Sequence, residues 1–198
     1  MPCGLDFGPV PFCVDTDKYC MSTFNKKYYQ GQFYPRHPEK CLNYNHKLWD
    51  REQPITYRSS WEQILCNFCD IEVNVLAWGS EVVEIPYYSE IDGKNHKYIL
   101  DFLMIVRKKD GTLGKWAVEV KPDSQAAYLD KFGNVVYPPA PKRKTQKALA
   151  KWQEKCQVIR RNGEKWEAAK RWAKKRGFTF CIKTENEIFG LGREKKQV

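Results

Sequence analysis

The sequence predicts an α/β fold in which a mixed central sheet is flanked by helices. Three observations predict it. Residues 97–106 and 116–121 read as two strands, rich in Val, Ile, Phe, Tyr and Trp, with Lys109-Asp110-Gly111 as turn residues between them. Upstream, Trp61, Ile64, Leu65, Phe68 and Cys69 recur at helical spacing and mark a buried stripe. Downstream, two basic helical segments precede the short strand Phe178-Thr179-Phe180-Cys181-Ile182. Helices between strands are what a parallel crossover needs, so this last strand rejoins the sheet beside the hairpin.

Taken in order, residues 1–50 hold scattered Pro, Gly, Asn and Tyr with little periodicity. They read as an irregular Cys/Tyr-rich extension that orders against a partner. Residues 51–198 read as one domain. Its first helix starts after Thr56-Tyr57-Arg58, where Ser59 or Ser60 caps it and Glu62 or Gln63 stands three residues on. Residues 75–87 read as strand, broken by Gly79 and Pro86, and Ile91-Asp92-Gly93-Lys94 as a turn. The hairpin spans 96–121. Residues 122–141, with four prolines and a glycine, form an irregular connection. The basic helices cover 142–176. The first carries Leu149, Trp152, Cys156 and Ile159 on one face and ends at Asn162-Gly163. The second, over 164–176, turns Trp166, Ala169, Trp172 and Ala173 inward and ends at Gly177. The final strand covers 178–183, and no internal repeat is visible.

The net charge of +10 is unevenly spread. Residues 1–50 carry 6 basic and 5 acidic groups, residues 51–121 carry 9 and 11, and residues 122–198 carry 19 and 8. A slightly acidic segment beside a strongly basic one suits a protein that holds a cation and grips a polyanion. No stretch is apolar and long enough to span a membrane, and the start lacks the basic and apolar regions of a signal peptide. A reducing cytosol is therefore expected. Of the 8 cysteines, Cys3, Cys13, Cys20 and Cys41 crowd the first fifth of the chain, with His37 and His46 nearby. Their irregular spacing leaves two readings, reduced cysteines in a loop-rich arm or a zinc site. Cys66 and Cys69 form a CxxC within the first helix and read as core residues.

The hairpin carries charge where a strand should be apolar. Strand side chains alternate, so Asp101 shares a face with Ile99, Leu103 and Ile105, and Glu119 and Lys121 share one with Ala117. A carboxylate among aliphatic residues is costly unless paired or bound to metal. The three-residue loop, a type I turn followed by left-handed glycine, sets Asp101 opposite Glu119. Directly opposed residues point to one side, with Cβ atoms roughly 4.5–5.5 Å apart. A two-residue loop would slip the register and separate the two carboxylates. Asp101 and Glu119-Val120-Lys121 match the D…ExK core of PD-(D/E)XK nucleases, with Leu100 in place of the motif's proline. The plain alternative is an Asp101–Lys121 ion pair within a sheet.

Glu62 is the candidate third carboxylate, or simply a capping-box partner of Ser59. Oxygen donors of this kind suit Mg²⁺ or Mn²⁺. Lys121 would orient or deprotonate a water, or meet negative charge on the phosphoryl group. Gln125 is an auxiliary contact. The basic segment supplies candidates for DNA backbone contact: Lys142, Arg143, Lys144, Lys147, Lys151, Arg160, Arg161, Lys170, Arg171, Lys174, Lys175 and Arg176. Their plain alternative is a solvated helix face.

Several segments, in order, resemble the head completion nucleases of tailed phages. They are Ile55-Thr56-Tyr57-Arg58-Ser59-Ser60-Trp61-Glu62, Ala77-Trp78-Gly79-Ser80-Glu81, Ile85-Pro86-Tyr87, residues 98–102, Glu119-Val120-Lys121-Pro122, and stretches of 165–185. The likeness covers roughly residues 54–190 and extends to the endonuclease subunit of some transposases. It implies a PD-(D/E)XK, restriction-endonuclease-like core. It also implies that Glu62, Asp101, Glu119 and Lys121 form the active site of a Mg²⁺-dependent endodeoxyribonuclease. The substrate would be packaged double-stranded DNA at the portal or neck, in the host cytoplasm during virion assembly. Two other functions remain open at this point: a non-catalytic neck protein that grips DNA and closes the head, and an endonuclease subunit of a transposase or repair system. Residues 1–50 do not share the likeness; attachment to a portal or neck protein is one role for them.

Overall fold

The computed structural model describes residues 30–45, 54–126, 135–184 and 188. The chain runs β1 (Gly31–Phe33), α1 (Leu42–Asn45), β2 (Ile55–Tyr57), α2 (Ser60–Ile71), β3 (Val75–Ser89), β4 (Lys94–Arg107), β5 (Leu113–Val120), α3 (Gln146–Lys175) and β6 (Thr179–Lys183). The main sheet has the order β3-β4-β5-β6. Its first three strands form an antiparallel meander and β6 lies parallel to β5, as the crossover reading requires. The sheet is mixed and flanked by helices, as predicted.

The hairpin follows from its loop. The Gly111 N–H donates to the Lys108 carbonyl at 2.9 Å, and the Lys108 N–H donates to the Thr112 carbonyl at 2.8 Å. Gly111 has φ +80°, the left-handed region that the turn demands. The ladder then pairs Arg107 with Leu113 and continues in step to Phe102 with Val118. That is the register expected from a three-residue loop.

Two apolar layers sandwich the sheet. On one side Leu65, Cys66, Phe68 and Cys69 of α2 meet Trp78, Phe102, Met104, Val118 and Val120. On the other, Ala168, Ala169 and Ala173 of α3 meet Ile85, Leu100 and Ala117, with Trp172 and Phe180 at the margin. Small alanines bring the α3 backbone close to the strands. Each large side chain so buried stabilises the fold by about 1.5–3 kcal/mol. Cys66 and Cys69 are core residues, as read.

Three sequence expectations are corrected. First, Asn162-Gly163 does not end a helix: α3 is one rod from 146 to 175. A helical glycine costs only about 1 kcal/mol. Here the buried stripe Ile159, Asn162, Trp166, Ala169 and Ala173 runs through it unbroken, and Asn162 Nδ2 donates to the Gln125 carbonyl at 3.0 Å. Second, Gly79 and Pro86 do not break β3. A Cβ at Gly79 would sit 2.9 Å from the Val82 side chain and 3.1 Å from Leu42, so this glycine serves a close approach. Pro86 pairs with Lys97 on a strand that ends the sheet, where a missing N–H is tolerated.

Third, residues 30–45 are built into the domain. β1 pairs antiparallel with β2, Cys41 bridges to Trp78, and Phe33, Cys41 and Tyr44 join the α2-side core. Buried Asp70 accepts the N–H groups of Arg36 and His37 at 2.8 and 3.0 Å. Asn43 exchanges two hydrogen bonds with the Ser80 backbone. Cys3, Cys13, Cys20 and His46 of the zinc reading lie outside the described residues. Cys41 is an apolar core thiol, pushed up to about 11 by burial.

Candidate active site

The β4–β5 ladder stops at Phe102 with Val118, one step short of the acidic pair. There the Val120 N–H donates to Asp101 Oδ2 at 2.8 Å instead of to a strand carbonyl. The carboxylate thus takes over the work of the ladder, and the strands part around it. On the neighbouring strand the same level is marked by a bulge between Ser80 and Val83, with Glu81 in the left-handed region at φ 55°. Bulges of this kind bend a strand and re-aim its side chains, and they recur beside active sites.

Glu119 is 1% exposed. Its Oε1 receives Lys121 Nζ at 2.9 Å, and its Oε2 accepts a hydrogen bond from the Tyr98 hydroxyl. Burial, and then the negative charge of Glu119, push the Asp101 carboxyl well above the usual carboxylate range, against the pull of Lys121 and the Val120 N–H. Burial alone would lower the Lys121 ammonium, but Glu119 and Asp101 outweigh it and hold the group above the ordinary lysine value. The two acids and the lysine therefore form one electrostatic unit, assembled from β4 and β5. The end of β5 is pinned from its other side, where the Lys121 N–H donates to the Lys183 carbonyl at 3.1 Å.

Glu62 stands at the rim of this unit, in the first turn of α2. Ser59 caps that helix, its Oγ accepting the Glu62 N–H at 3.1 Å. In return Glu62 accepts the Ser59 hydroxyl at 2.9 Å and the Arg58 N–H at 2.8 Å. The capping role is therefore realised, while the Glu62 charge still acts on Asp101 and Lys121. Among the described residues, no three His, Cys, Asp or Glu side chains are grouped to hold a metal ion.

The profile of the TnsA-like endonuclease N-terminal domain matches residues 72–185. The chain is also 31% identical over 165 residues to the head completion nuclease of Enterobacteria phage T4, across 83% of this chain and 96% of that protein. The chain belongs to the head completion nuclease family. The sheet of this nuclease, with α2 and α3 on its two faces, is the PD-(D/E)XK core. The domain match spans Asp101, Glu119 and Lys121 and begins after Glu62.

Beside these groups lie two residues that the sequence does not single out. Tyr98 orients Glu119; burial and then the Glu119 charge hold its phenol far above the ordinary tyrosine value, so it stays a donor. Strict alternation from Phe102 would aim Tyr98 at α2, yet Tyr98 and Leu100 belong to the α3-side core. The strand changes phase at Asp101, and nothing in the alternation announces that. The second missed residue is Lys165, on α3, whose ammonium lies 6.0 Å from the centre of the Tyr98 ring. It was hidden among the many basic residues of its helix.

The twelve predicted DNA contacts are exposed but do not form one cluster. Merging two helices into a rod of 30 residues spreads them over about 45 Å. Lys142, Arg143 and Lys144 precede α3, Lys147 and Lys151 open it, and Arg160 and Arg161 sit at its middle. Lys170, Arg171, Lys174, Lys175 and Arg176 close it. Arg160 approaches Glu90 at 3.6 Å, Lys170 pairs with Glu167 at 2.6 Å, and Arg176 stacks on Trp172 at 4.7 Å. Gln125 lies exposed in the turn after β5 and is held through its carbonyl by Asn162. No helix among the described residues is long and apolar enough to cross a membrane.

Proposed function

We propose that this nuclease is a Mg²⁺- or Mn²⁺-dependent DNA endonuclease. On this reading it cuts packaged double-stranded DNA at the portal or neck, in the host cytoplasm during virion assembly. One observation carries the reading: buried Glu119 and half-buried Asp101 stand beside one lysine, in a chain of the head completion family. Two hard oxygen donors with like charge call for a cation, and Lys121 offsets only one of them. Mg²⁺ keeps several waters and takes one or two carboxylates plus substrate phosphate. Asp101 and Glu119 therefore suffice as protein donors, and Glu62 can remain in its cap. A cation bound there supplies an acidified water and polarises the phosphoryl oxygens.

The chain's own residues do the rest. The Val120 N–H and the Tyr98 hydroxyl fix the rotamers of the two acids. Lys121 stays charged and faces the phosphate, where it meets developing negative charge. The basic groups along α3 hold the sugar-phosphate backbone without reading sequence.

Cleavage of supercoiled plasmid in Mg²⁺ tests this. Asp101→Ala and Lys121→Ala are each expected to lower the rate by at least about 10²-fold. Equal cleavage by the wild type and both variants would remove the enzymatic reading and leave a protein that grips DNA and closes the head. The TnsA-like match favours one further reading, an endonuclease subunit of a transposase or repair system. A recombinase gene beside this one would support it, whereas capsid, portal and tail genes would support the phage reading.

A further inference from the structure

Lysines on helix surfaces usually keep their heads in water and cover apolar surface only with their stems. Lys165 does not. It is half-buried, beside buried Trp166 and one turn from buried Asn162 and Ala168. Its ammonium rests over the Tyr98 ring. It makes no hydrogen bond or ion pair among the described residues. The acids nearby are already engaged: Glu119 with Lys121 and Tyr98, Asp101 with the Val120 N–H.

We propose that Lys165 is a substrate contact of this same site, binding a non-bridging oxygen of the phosphodiester that is cut, from α3, while Lys121 reaches the phosphate from β5. The inference rests on the endonuclease reading above. Burial, and then the neighbouring charge of Lys121, lower the Lys165 ammonium from the ordinary lysine value. Without an anion this placement is unfavourable, and a phosphate supplies the missing charge. Two features hold the helix in register for the task. The Asn162 bond to Gln125 ties α3 to the segment that follows Lys121, and Ala168 and Ala169 seat the helix on the sheet. Arg161, one turn earlier and exposed, continues the positive line outward along the incoming strand.

The test uses the full chain, with Lys165→Gln, Lys165→Met and Lys165→Arg, and Lys97→Gln as a surface control. Binding of a short duplex is measured in EDTA across a salt series, and plasmid cleavage in Mg²⁺. Thermal melting reports whether each variant folds. Both neutral variants are expected to reduce the slope of log K against log salt by about 0.9, the share of one phosphate. They are also expected to cut about 10²-fold more slowly, with Lys165→Arg restoring most of both. An unchanged slope in the neutral variants overturns the proposal. A reduced slope with wild-type cleavage also overturns it, because the contact would then lie at a phosphate away from the reaction. If the neutral variants reduce the slope as expected but the wild type never cuts, the endonuclease reading fails instead, and Lys165 stands as a phosphate contact only.

Discussion

The two ends of the β4–β5 hairpin are made of the same strands and behave differently. At the turn end each residue finds its partner, from Arg107 with Leu113 to Phe102 with Val118, and a left-handed glycine closes the loop. At the open end the ladder gives way, and an aspartate side chain receives the N–H that a strand carbonyl would have taken. The turn end minimises local free energy. The open end gathers two acids and a lysine into one notch, and does so at the expense of stability. The proposed site sits where regular structure stops, one residue beyond the end of the ladder.

Substitutions at the two ends should therefore have opposite signatures. The largest effect is expected from Asp101→Asn, which keeps an acceptor for the Val120 N–H but removes the charge. Cleavage should fall at least about 10²-fold, while metal-free thermal stability at neutral pH rises. The sign follows from linkage. The Asp101 carboxyl is raised in the folded state, so the native protein binds more protons than the unfolded chain above the ordinary carboxylate value, about 4. Wild-type stability therefore declines as pH rises through that window toward the raised value, and the asparagine variant lacks this decline. Melting curves from pH 4 to neutrality would check it; parallel curves for the two proteins would contradict the like-charge pair. A smaller effect is expected from Gly111→Ala at the turn end. A Cβ there meets nothing within 4 Å, so the cost is backbone strain alone, about 1–2 kcal/mol. Denaturant unfolding should show that loss, and cleavage per folded molecule should not change.

Much of this was legible in the sequence because the rules involved are local. Turn chemistry at Lys109-Asp110-Gly111 fixed the register, and Ser59 with Glu62 fixed the start of α2. The failures share a cause. Asn162-Gly163 is a local stop signal, yet Leu149, Trp152, Cys156 and Ile159 are in helical phase with Trp166, Ala169 and Ala173 across it. Continuity of that phase, sealed by the Asn162 side chain, outweighs one helical glycine. Tyr98 does not stand out in the sequence because alternation assumes an unbroken strand, and β4 changes phase beside the β3 bulge. Lys165 is one lysine among many until its ammonium is seen over Tyr98, without an acidic partner among the described residues. Long-range packing decides each of these, and no window of neighbouring residues contains it.

The most direct test of the central claim is to locate bound Mn²⁺ by anomalous scattering in crystals of the full chain. The account predicts a peak between Asp101 and Glu119, lost in Asp101→Asn. A peak elsewhere, or saturating Mn²⁺ with both acids still engaged only by Lys121, Tyr98 and Val120, would contradict it.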